Sequence, residues 1–103
     1  MDIEPPYTAV IFTSTHTDDT SGYDEAALAM RTLAAEQPGY LGIETVGDAG
    51  HGITVSYWAT EADAAAWRRN AEHAAVQAQG RRRWYASYDI RVATVHRHHR
   101  FDA

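Results

Sequence analysis

Residues 40–63 read YLGIETVGDAGHGITVSYWATEAD. Two runs rich in β-branched and aromatic residues, Tyr40–Val46 and Ile53–Ala59, flank a glycine-rich turn over Gly47–Gly52, and this spacing predicts a β-hairpin. Thr60-Glu61-Ala62-Asp63 follows at once, a threonine three residues before an acid, which is a variant of the capping box that opens helices. A hairpin that feeds directly into a helix is therefore the centre of the chain.

Upstream, Tyr7–Thr15 (YTAVIFTST) predicts a first strand after the Pro5-Pro6 stop. His16–Gly22 is polar and turn-rich. Tyr23–Glu36 carries Ala27, Met30 and Leu33 or Ala34 at helical spacing and ends at Gln37-Pro38-Gly39. Downstream, the second helix is expected to run to about Gln79 and stop at Gly80, with Ala62, Ala66, Asn70 and His73 on its sheet-facing stripe. Arg81–Ser87 reads as a basic-aromatic connector and Tyr88–His96 as the last strand.

The order β-α-β-β-α-β is the split βαβ plan, an α+β, ferredoxin-like fold with both helices on one face of a four-stranded antiparallel sheet. Such a sheet should alternate apolar and polar residues if its other face meets water. Here Ala9 and Ile11 oppose Val10 and Phe12, and Ile53, Val55 and Tyr57 oppose Thr54, Ser56 and Trp58. Apolar groups on both faces imply that the uncovered one packs on a second copy of the chain as a two-fold homodimer.

Composition sets limits. With 103 residues, 45% of them apolar and 22% charged, the sequence suits one domain spanning 1–103 with a thin core. Zero cysteine excludes disulfide frameworks, thiolate nucleophiles and cysteine-based metal sites. A net charge of -5 argues against nucleic-acid partners, and no leader or apolar span points to secretion or a membrane, so a cytoplasmic protein is expected. All nine basic residues are arginine, a coding bias rather than a binding signal.

No nucleophile elbow, phosphate loop, dinucleotide fingerprint or HExxH motif occurs, so the reading calls for neither a cofactor nor a metal. Of the six histidines, His16 and His51 fall in polar turns and are expected to be exposed, and the His96-Arg97-His98-His99-Arg100 tract reads as a solvated tail. His73 differs because it falls on the second helix, where a rim or pocket position would let it orient a ligand or move a proton. Alanine-rich helix faces beside clustered aromatics suggest a cavity for a flat apolar ligand between helices and sheet.

The segments Y-T-A-V-I-F, E-Q-P-G-Y-L-G-I-E, I-T-V-S-Y-W, A-W-R-R-N-A-E-H and W-Y-A-S-Y-D-I-R-V-A together resemble the antibiotic biosynthesis monooxygenase family of dimeric α/β-barrel proteins over nearly the whole chain. The resemblance implies a homodimer with a pocket between each sheet and its helices. It also implies a cofactor-independent monooxygenase that brings a small aromatic or polyketide-like substrate and O2 together. On that reading His73 is a base or anion stabiliser, Trp67 a pocket wall and Asn70 an amide donor, with Tyr57, Trp58, Phe12 and Trp84 as lining. A non-catalytic small-molecule-binding dimer is the alternative. A haem-degrading member is a third, less fitting one: Trp67 matches that pattern, but the first strand has no asparagine. Gln77 stands where the haem histidine is expected, and His73 comes four residues too early.

Overall fold

The computed structural model describes residues 3–73 and 83–103, residues 71–73 by their backbone alone. In chain order the elements are β1 (Tyr7–His16), α1 (Tyr23–Ala35), β2 (Tyr40–Asp48), β3 (His51–Trp58), α2 (Glu61–His73) and β4 (Tyr85–Val95). The four strands form one antiparallel sheet in the order β2-β3-β1-β4, the ferredoxin-like arrangement the element order predicts.

Register fixes the two faces. Val10 lies opposite Ser56 and Val92, and Phe12 opposite Thr54 and Ile90, so these side chains share the face that carries the helices. Ala9, Ile11, Val55 and Tyr57 share the other. On that second face Ile53 is 46% exposed, and Val46 at the end of β2 is 70% exposed. The two-sided apolar pattern of the strands is thus real.

The hairpin turn is tighter than the sequence suggests. Asp48 and His51 still pair, leaving only Ala49 and Gly50 as loop, both at positive φ (50° and 81°). A two-residue loop with both residues left-handed matches the twist of the flanking strands. Alanine resists this conformation by about 1 kcal/mol, whereas asparagine tolerates it. Ala49→Asn is therefore expected to stabilise the fold by up to about 1 kcal/mol, read as a raised midpoint in urea.

At the other end of the sheet sits the core. Trp58 is fully buried, stacks on Trp67 of α2 at 5.8 Å, meets the edge of Tyr40 at 5.8 Å and donates from Nε1 to Ser56 Oγ at 2.9 Å. Ala34 and Ala64 close over it from the two helices. Here the sequence reading of α2 needs correction. Ala64 and Trp67 mark the inward stripe, while Ala62, Ala66 and Asn70 are exposed. The last strand also starts earlier than predicted, at Tyr85, because a bulge opposite Thr15–His16 carries the pairing past Ser87. The part of the second helix expected beyond His73, with Gly80, Arg81 and Arg82, lies outside the described residues.

Candidate functional site

Between the helices and the sheet lies a cavity of about 190 Å³. An apolar cavity of roughly 150 Å³ suffices for benzene, so this one has room for an aromatic ligand. Its floor is the helix-facing side of the sheet: Val10, Phe12, Ile43, Thr45, Thr54, Ser56 and Ile90. Helix α1 supplies Tyr23, Ala27, Met30 and Arg31, which recur at helical spacing along one face. Trp67 and Arg68 come from α2, and Trp84 and Tyr85 from the start of β4 and the residue before it.

The Trp84 wall is fixed by a clasp between the β1–α1 loop and the approach to β4. Thr17 N donates to Trp84 O at 2.7 Å, and the Thr17 hydroxyl donates to Arg83 O. In return, Trp84 Nε1 donates to Ser21 O at 2.9 Å and Arg83 to the same carbonyl at 3.1 Å. Arg83 also pairs with the Asp19 carboxylate at 3.4 Å. Hydrogen bonds from Ser21, its backbone N–H first and its hydroxyl next, hold the Asp19 carboxyl below its ordinary range, with a smaller pull from Arg83. Trp84 is left only 3% exposed as a rigid wall.

His16 departs from expectation. It ends β1 rather than lying in an open turn, its ring 4.6 Å from Tyr23 and 5.5 Å from Tyr85, and its Nε2 is buried with no hydrogen-bond partner among the described residues. Beside it the Tyr85 phenol is pushed well above its ordinary range, chiefly by burial and then by the Tyr23 hydroxyl. Tyr85 is consequently a hydrogen-bond donor at neutral pH and not a base. His98 also leaves the solvated-tail pattern: its Nδ1 lies 3.0 Å from the Tyr7 hydroxyl.

The structure brings three of the sequence-predicted residues, Phe12, Trp67 and Trp84, into this one cavity. Trp58 stands behind it, supporting Trp67 rather than facing the space. Tyr57 belongs to the opposite face of the sheet, edge-on to Tyr7 at 5.8 Å, so it is no lining of this cavity. Asn70 is exposed and donates to Gln37 Oε1 at 3.3 Å on the outside of the helices. The His73 side chain lies outside the described residues. Tyr85, one of the clustered aromatics, also lines the cavity, and Tyr23 and Arg31 join it without being sequence candidates. The signal was present for Tyr23 and Arg31, which continue the Ala27–Met30 stripe. Among the described residues no cluster of three His, Asp or Glu side chains could hold a metal ion, and no helix is long and apolar enough to cross a membrane.

Tyrosine titration offers a check on the two faces. Burial, then Glu44, pushes the Tyr57 phenol to about 12. A folded-state value above the unfolded one of roughly 10 means a stabilising contribution that is complete below pH 10 and is lost as pH rises toward 12. Absorbance titration of tyrosinate formation is expected to lose one late step in Tyr57→Phe and another in Tyr85→Phe. Tyr57→Phe should also soften the alkaline loss of stability.

Residues 6–79, well over half of the sequence, match the profile of the family described as antibiotic biosynthesis monooxygenase. The chain belongs to that family. Among curated proteins, this family member is 50% identical over 99 residues to the uncharacterized protein YqjZ of Bacillus subtilis (strain 168), covering 95% of the present chain and 87% of YqjZ. Among solved structures, a variant of SnoaB, a cofactor-independent oxygenase from Streptomyces nogalater, superposes with a TM-score of 0.76 at 8% identity, covering 89% of this chain and 95% of SnoaB. PA3566 from Pseudomonas aeruginosa superposes with a TM-score of 0.69 at 14% identity, covering 95% and 100%. At these identities the structural likeness of the monooxygenase-family chain speaks for the fold.

Proposed function

We propose that this protein is a cofactor-independent monooxygenase that oxidises a small aromatic or polyketide-like substrate in the cavity between sheet and helices. The observation that carries the reading is the aromatic cavity walled by Phe12, Trp67 and Trp84 in a member of this family. The structurally similar SnoaB, itself a cofactor-independent oxygenase, lends it support. In such a reaction the substrate is the reductant. Loss of a proton from an anthrone-like CH2 leaves a carbanion that passes an electron to O2 and then bonds to it. Cleavage of the O–O bond gives the quinone carbonyl and releases one water, so anthrone plus O2 yields anthraquinone plus water. The protein's part is to hold the ring, exclude bulk water and accept the proton. For that last role His73 is the proposed base, removal of which typically costs about 10²-fold or more in rate.

The working unit proposed is a cytoplasmic homodimer joined through the sheet face that carries Val46 and Ile53. Sedimentation should give twice the 11.4 kDa of one chain. A monomer mass at micromolar concentration would remove the dimer.

One observation favours a second reading, a dimer that binds its ligand without turning it over. The described lining holds two arginines and two phenols but neither an aspartate nor a glutamate, so no described wall residue is an evident base. Anthrone incubated with and without air separates the two. Catalysis predicts aerobic quinone formation above buffer that falls in His73→Ala. A rate equal to buffer leaves the binding protein.

A further inference from the structure

The chain as a whole is acidic, 14 Asp and Glu against nine arginines, yet the described cavity lining inverts this balance. Arg31 of α1 and Arg68 of α2 both border the space, together with the hydroxyl-bearing Tyr23, Tyr85, Thr45, Thr54 and Ser56, and no carboxylate borders it among the described residues. Arg68 has an interaction of its own. Arg31 forms no hydrogen bond or ion pair among the described residues. Its placement follows from the helix: Tyr23, Ala27, Met30 and Arg31 lie along one face, so a residue that composition alone assigns to solvent borders the cavity instead. Arg31 is half-buried, as Phe12 and Trp67 are, whereas Arg68 is exposed and Trp84 is 3% exposed, so the wall of the cavity runs from a buried indole at Trp84 to an exposed arginine at Arg68.

We infer that the cavity is selective for an aromatic oxyanion, a ring carrying a carboxylate or an ionised phenol, whose ring enters among Phe12, Trp67 and Trp84 and whose charge meets the Arg31 guanidinium. Guanidinium suits this role because its planar fork offers paired donors and stays charged at any pH the fold survives. Apolar walls strengthen the attraction by lowering the local dielectric. The inference rests on the reading of this cavity as the ligand site and deepens it by naming the ligand's charge and the residue that selects it.

Calorimetric titration of the full chain at low ionic strength with 2-naphthoate, 2,4-dinitro-1-naphtholate and the neutral 2-naphthamide tests this without requiring turnover. At least one anion is expected to bind about tenfold more tightly than the amide, and which anion does so distinguishes carboxylate from phenolate. Arg31→Gln should abolish the preference while leaving the amide's affinity unchanged, and Arg31→Lys should keep part of it. Equal affinity for anions and amide, a preference that survives in Arg31→Gln, or no binding of any probe overturns the inference. A protein that shows the preference but never consumes O2 would defeat the oxygenase reading alone.

Discussion

Trp58→Ala is expected to destabilise the protein by about 4 kcal/mol, measured as a fall in the urea midpoint. Against a total stability on the order of 5–15 kcal/mol that is a large fraction. The magnitude follows from what the indole does. It is fully buried, stacks on Trp67, meets Tyr40 edge-on, is covered by Ala34 and Ala64 and satisfies Ser56 through its Nε1. Its two covering residues are alanines, whose short side chains cannot move in to fill the void, so the cavity term stays large. Because Trp67 is a wall of the ligand cavity, the same substitution should weaken ligand binding even where enough protein remains folded. Trp58→Phe keeps part of the stack and should cost clearly less.

Gly39→Ala is the second large effect, expected at about 2–3 kcal/mol from two causes. Gly39 has a φ of 81°, where alanine pays about 1 kcal/mol. An added Cβ would also stand only 2.6 Å from Asp63 Cβ and closer still to its carboxylate. That carboxylate accepts from the Thr60 hydroxyl at 2.9 Å, while Thr60 Oγ1 accepts from Asp63 N at 3.0 Å. Pushing Asp63 aside thus damages the cap that starts α2, a loss of about 1 kcal/mol. The double variant Gly39→Ala with Asp63→Ala should be less destabilised than the sum of the single ones, since the Thr60–Asp63 cap is lost only once and the contact with the carboxylate is gone, although the 2.6 Å approach to the residue 63 Cβ persists. Additive losses would show that Gly39 matters for its backbone alone.

The fold was legible because its elements contrast in residue type and spacing. Tyr7–Thr15 is a run of β-branched and aromatic residues, Tyr23–Glu36 recurs at three to four, and the Pro38-Gly39 stop separates them from the hairpin; the observed ends of these two elements differ by one residue. Errors arose where contrast fails. In α2 alanine occupies both the inward and outward faces, so Trp67 is the one bulky marker in Glu61–Asn70, and the stripe was assigned to Ala62, Ala66 and Asn70 instead of Ala64 and Trp67. A bulge hid the start of β4 behind an arginine run, which misplaced Tyr85 in a connector and left His16 in a turn. Within the site, aromatic residues announced themselves, but Arg31 did not, because charge on a helix ordinarily means solvent. Tyr57 and Trp58, being adjacent in a strand, point to opposite faces, and alternation alone forbids both from lining one cavity.

The most direct test of the account is incubation of the protein with anthrone under 18O2, with the product analysed by mass spectrometry. The account predicts anthraquinone carrying one heavy oxygen, formed faster than in buffer and suppressed when Trp67→Ala opens the cavity wall. Quinone formed at the buffer rate, or at a rate indifferent to Trp67, would contradict it.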